Sequence, residues 1–192
     1  MPFAMSGDDV REISVAGKRV LVLGLGNPIL TDDGVGVKAA EKVFEALPPG
    51  APVEVREVSV GGLTLMEHMV GWEKVVLIDA LQTGSSPYGA VRRMTVDELA
   101  AMSPTQHSAS PHDASLITAL AFARRMELDL PEDIVIYAVE VENVLDFGEL
   151  PTPAVAEAIP VVARMVLAQL AQWDIIAGEV AAATSAQTHS NN

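Results

Sequence analysis

Three short apolar runs constrain this fold more than any other feature. They are "KRVLVLGLG" (18–26), "KVVLIDA" (74–80) and "DIVIYAVEV" (133–141). Each is too short for a core helix and lacks the polar alternation of a strand with one wet face. The first two therefore read as strands buried on both sides, and the third as a further strand. "VEVREVSV" (53–60) alternates apolar and charged residues, as a half-buried strand does, and "AVRRMTV" (90–96) is a further strand. Helical periods fill the gaps. Val35, Ala39, Val43 and Leu47 share one face, and "PPG" ends that helix. Leu63, Leu65, Met66, Met69 and Val70 follow the Gly61–Gly62 turn as a short helix. "DELAAM" makes a helical turn, "SPTQHSASPHD" (103–113) is irregular, and Leu116, Leu120, Ala123 and Leu128 line the next helix. Thr152 is a good N-cap for the last helix, with Pro153 at its first position. That helix runs toward Trp173 with Val155, Ile159, Val162, Val166 and Leu170 on its apolar side. Strands alternating with helices predict an α/β three-layer sandwich: a mostly parallel central sheet of about five strands flanked by helices. Ligands of such sheets sit beyond the carboxyl ends of the strands.

One domain is expected over 18–175, with a polar lead-in over 1–17 and a disordered tail over 176–192. The 192 residues suffice for a single core, and 49% are hydrophobic. The chain has no cysteine, which removes disulfides, thiolate nucleophiles and cysteine-bound zinc. With 12 basic against 26 acidic residues the net charge is −14, which opposes a nucleic-acid backbone as partner. No apolar run reads as a membrane span, and the first residues lack the basic start and apolar stretch of a secretory signal. The expectation is a cytoplasmic monomer with no nucleic-acid or membrane partner and no organic cofactor.

The strand ends hold the polar residues of interest. Asp33 follows the first strand, Asp79 ends "KVVLID", and His112 precedes a later helix. Two carboxylates and an imidazole suit a divalent metal such as nickel or zinc, or acid–base chemistry. Plainer explanations stand beside each. Asp32 or Asp33 could cap the first helix, where its dipole favours negative charge; one is expected to cap and Asp33 to face the site. Asp79 could make a strand-end turn, although a charge straight after Val75–Ile78 needs a partner. His112 alone fits a helix start. Glu140, Glu142 and Asn143 read as a solvated strand end. His68, His107 and His189 receive no role, and no Ser-His-Asp set is present.

The opening motif separates three kinds of protein. A dinucleotide fold needs G-x-G-x-x-G, but Ile29 occupies the third glycine position and two acids stand where pyrophosphate would approach. "GLGNP" also resembles the start of peptidyl-tRNA hydrolases, yet "ILTDDGVGVKAAEKV" lacks the histidine element of that family. "VLVLGLGNPILTDDGVGVKAAEKV" resembles the opening of the NiFe-hydrogenase maturation proteases, which trim the C-terminal extension of the hydrogenase large subunit. Further along, "VVLIDA", "SPHD" and "ELPTPAVAEAI" resemble, in order, the family's metal-site strand, its histidine segment and the opening of its last helix. The likeness covers about Arg19 to Leu170. Asp33 stands where some members have glutamate, and Val60 stands where many have an acid.

The resemblance implies that Asp33, Asp79 and His112 form the metal-recognising, catalytic cleft. It also implies that the nickel arrives with the substrate, the large-subunit precursor. Attack on the scissile carbonyl by a carboxylate or by water on the metal both fit the sequence. A nickel-dependent binding module that does not cut is the alternative function, and a peptidyl-tRNA hydrolase-like esterase is a more distant one.

Overall fold

Every residue of the first strand is buried, as its unbroken apolar run requires. The structure is a computed structural model that describes residues 20–59, 62–102 and 111–178; side chains at 62, 63 and 111–115 are not described. The predicted lead-in, Val60, Gly61, His107 and the tail from 179 onward lie outside the described residues.

The elements run in chain order: β1 (Val20–Leu25), α1 (Val35–Ala46), β2 (Val53–Val58), α2 (Gly62–Met69), β3 (Lys74–Leu81), β4 (Val91–Thr95), α3 (Val96–Met102), α4 (Pro111–Arg125), β5 (Asp133–Glu140) and α5 (Pro153–Gln172). The five strands form one sheet in the order β2-β1-β3-β5-β4. β2, β1, β3 and β5 are parallel, and β4 pairs antiparallel with β5 at the edge. This is the α/β sandwich the alternation predicts.

Alternate residues of the buried strands feed two cores. Val20, Val22, Val76, Ile78 and Val139 meet α1 and α5 on one face. Leu21, Leu23, Val75, Leu77 and Ile136 meet α2, α3 and α4 on the other. Each such side chain contributes about 1.5–3 kcal/mol through burial. The edge strands carry charges along their length, Glu54, Arg56 and Glu57 on β2 and Arg92 and Arg93 on β4, whereas β1 has none and those of β3 and β5 lie at or near the strand ends. On the β2 side, the Arg56 guanidinium lies 3.4 Å from His68 Nδ1 and 5.5 Å from the Trp72 ring centre. Burial, and then Arg56, hold the His68 imidazole below its ordinary value.

Two sequence expectations change at α5. The helix is long and apolar enough, by length and composition, to cross a membrane, so such a run does exist in the chain. Half of it is buried inside the molecule, with Val155, Val162, Val166 and Leu170 in the core, as a core helix requires. The packed body also passes the boundary expected at 175. Asp174 takes a left-handed conformation with φ 57°. Its N–H bonds Ala171 O, and Ile175 N–H bonds Leu170 O at 3.0 Å. This paired closure turns the chain back and buries Ile176 in the α1–α5 core.

Candidate active site at the carboxyl ends of β1 and β3

Strand order places the ligand crevice. From β1 the chain moves outward to β2, and from β3 it moves the other way to β5 and β4. Connections therefore diverge between β1 and β3, which opens a crevice beyond their carboxyl ends. Asp33 follows β1, and Asp79 lies in β3 opposite Ala138. Gly36 ties the two strand ends to one helix start. A Cβ there would stand 2.3 Å from both Leu25 O and Ile78 O, so only glycine lets α1 seat on both strands. Asp33 is three residues before that contact, and Asp79 is one residue after it.

The turn after β1 is built around Asp33. Gly26 has φ 122°, and a Cβ on it would lie 1.9 Å from Asp33 O. Asn27 N–H donates to Asp33 Oδ2 at 2.6 Å, closing the loop. Asn27 Oδ1 accepts from Ile29 N–H at 3.2 Å, so the asparagine holds its own turn as well. Asp33 is buried, and among the described residues its side chain accepts that single bond, through Oδ2 alone.

Asp32 behaves differently. It is fully buried, and its carboxylate accepts four hydrogen bonds. Thr152 N–H reaches Oδ1 at 2.7 Å. Thr152 Oγ1 at 3.1 Å, Asn143 N–H at 3.1 Å and Glu142 N–H at 3.3 Å reach Oδ2. The expected cap on α1 is therefore absent. Gly34 holds the N-cap position with no side-chain bond. Asp32 sits instead at the N-terminus of α5, whose dipole favours its charge. Thr152 occupies the predicted N-cap position, but its hydroxyl is given to Asp32.

A second buried carboxylate braces the crevice from the β5 side. Glu140 is 1% exposed, so the reading of a solvated strand end fails for it. Its Oε1 accepts Thr83 N–H and Gly84 N–H, each at 2.7 Å, and its Oε2 accepts Thr83 Oγ1 at 2.8 Å. These bonds pin the loop that follows β3. Glu142 is exposed, and the half-buried Asn143 accepts Leu145 and Asp146 N–H.

Asp79 is 4% exposed, and its Oδ1 accepts Ala80 N–H at 2.8 Å. His112 falls in the first turn of α4, and its side chain lies outside the described residues. Among the described residues no group of three His, Cys, Asp or Glu side chains is arranged to hold a metal ion. An open depression of about 470 Å³, lined by Arg92, Arg93, Met94, Glu98, Ala101 and Met102, belongs to β4 and α3 rather than to these strand ends.

The family model described as hydrogenase maturation protease matches residues 37–169 of this chain. That span begins inside α1 and includes Asp79 and His112. The hydrogenase expression/formation protein HupD of Thiocapsa roseopersicina is 28% identical over 158 residues, 82% of this chain and 70% of HupD. The hydrogenase 2 maturation protease of Escherichia coli K12 is 28% identical over 152 residues, 79% of this chain and 90% of its own. The solved structure of the hydrogenase maturating endopeptidase HybD from E. coli superimposes with a TM-score of 0.69 at 28% identity, covering 80% of this chain and 93% of HybD.

Proposed function

The chain belongs to the hydrogenase maturation protease family, a family of endopeptidases, and on that premise we propose that it removes the C-terminal extension of a nickel-loaded NiFe-hydrogenase large-subunit precursor. The unequal use of the two neighbouring aspartates carries the reading. A carboxylate offers about four acceptor positions. Asp32 spends its capacity on four donors, whereas Asp33 is anchored through Oδ2 and keeps Oδ1 for a ligand.

Nickel enters with the precursor and is part of the substrate. Asp33 and Asp79, with the His112 imidazole from the start of α4, are the proposed recognition set; two carboxylates and one imidazole match the preferences of the divalent ion. Both carboxylates are already buried, so a nickel-bearing precursor gains a charge-assisted attraction to them that a metal-free precursor lacks. The cleft thus favours the nickel-loaded precursor over the metal-free one. The same carboxylates, once neutralised by the incoming ion, hold the scissile segment against the strand ends.

The test is to incubate the chain with nickel-loaded precursor and weigh the product. Loss of a C-terminal peptide supports the proposal, whereas stable binding with unchanged mass makes the chain a non-cleaving binding module. Asp33→Asn and Asp79→Asn should each abolish cleavage while the chain stays folded; full activity in both removes the proposed site.

A further inference from the structure

The loops that hold the aspartates also display an apolar surface that no core element among the described residues uses. Leu145 (82% exposed), Phe147 (84%) and Leu150 (82%) project from the segment joining β5 to α5. Ile29 (51%) projects from the turn after β1. These residues sit on one braced unit. Leu30 and Phe147 form an antiparallel bridge. Gly148 N–H bonds Ile29 O at 3.0 Å, and Thr31 N–H bonds Asp146 O at 3.1 Å. The Asp32 carboxylate clamps both ends of the longer loop, at Glu142–Asn143 and at Thr152. The Asn27–Asp33 bond closes the shorter one around Ile29. Large apolar side chains held in water on a rigid platform mark a binding surface.

We infer that Ile29, Leu145, Phe147 and Leu150 dock the body of the precursor large subunit beside the cleft, through an apolar patch on that partner rimmed by basic side chains. The inference rests on the function proposed above. Continuity places the surface there: Asp32 clamps the platform, and Asp33 is the next residue. Charge selects the rim. Glu142 and Glu149 are exposed on the same loop, so a basic rim complements it and an acidic one is repelled. The chain thereby separates two tasks. The strand ends read the metal, and the platform holds the protein that carries it.

The experiment compares wild type, the triple variant Leu145→Ser/Phe147→Ser/Leu150→Ser, and a control double variant Phe122→Ser/Met126→Ser, whose residues are exposed on and just after α4. Each is assayed for cleavage of nickel-loaded precursor and titrated with it for Kd. The triple variant should raise KM and Kd about tenfold or more, leave kcat within about twofold, and melt at the wild-type Tm. The control should move none of these. Wild-type KM and Kd in the triple variant overturn the inference. So does a wild-type dimer that the triple variant abolishes at unchanged KM, which assigns the surface to a second copy. If wild type binds precursor without shortening it, the endopeptidase reading fails, and Kd alone then decides for or against the docking surface. If the triple variant melts early, Leu145→Ser is judged by the same criterion, with a rise of about threefold expected.

Discussion

Asp32 and Asp33 are neighbours in the chain and opposites in the structure. Asp32 is fully buried and gives both oxygens to Thr152, Asn143 and Glu142, more than a hundred residues away in the chain. Asp33 is nearly as buried and accepts one local bond from Asn27 among the described residues. The lesson is that burial of a carboxylate does not reveal its task; the count of its donors does. A fully satisfied carboxylate is a fastening. One with an oxygen in reserve is available to a ligand.

The sharpest way to break this comparison is to remove each acid in turn. Asp32→Ala leaves four neutral donors without their acceptor, and at about 1–3 kcal/mol for each that stays unsatisfied, two or three of them cost about 3–5 kcal/mol. For a domain of this size that lowers Tm by roughly 6–20 °C. A thermal melt checks it, and an unchanged Tm would remove the distinction drawn here. Asp33→Asn should act on the reaction instead. Cleavage falls about 100-fold or more, equivalent to about 2.7 kcal/mol, while Tm stays close to wild type because an amide oxygen can still accept from Asn27 N–H.

Gly26→Ala tests the seat of Asp33 rather than its charge. The added methyl meets Asp33 O, and φ 122° is unfavourable for alanine, at a cost of about 1–3 kcal/mol. Stability and cleavage should fall together, unlike in either aspartate variant. The smallest effect belongs to His68, which lies outside the pair. Its folded-state value lies below 6.5. Well above pH 6.5, the unfolded chain's value, the imidazole is neutral in both states and its contribution is constant. As pH falls below that, the unfolded chain binds the proton first and stability declines. His68→Gln should flatten that part of the stability profile in denaturant titrations without changing cleavage at neutral pH.

Much of the architecture was legible because buried parallel strands leave an unmistakable pattern. "VLVLGL" and "KVVLIDAL" have no polar alternation, and both are central strands. Asp79 stood out because a charge after four apolar residues has to be accommodated. Asp32 reads as a helix cap in the sequence because its partners, Glu142, Asn143 and Thr152, have no local signature. Glu140 looked solvated at the end of its strand for the same reason: Thr83 and Gly84 come from another connection. Ile176 reads as tail in the sequence because the reversal at Asp174 is made by backbone bonds that composition does not encode.

The sequence by itself determined the layers, the succession of strands and helices, and the resemblance that points to the protease family. Those follow from periodicity and from short motifs, which are local. Only the tertiary structure decided that α1 seats across β1 and β3, that Asp32 fastens the last helix, and that Ile29 joins Leu145, Phe147 and Leu150 on one platform. The first depends on the close approach at Gly36, the second on which distant donors reach a carboxylate, and the third on backbone bonds between two loops; chain spacing alone specifies none of them.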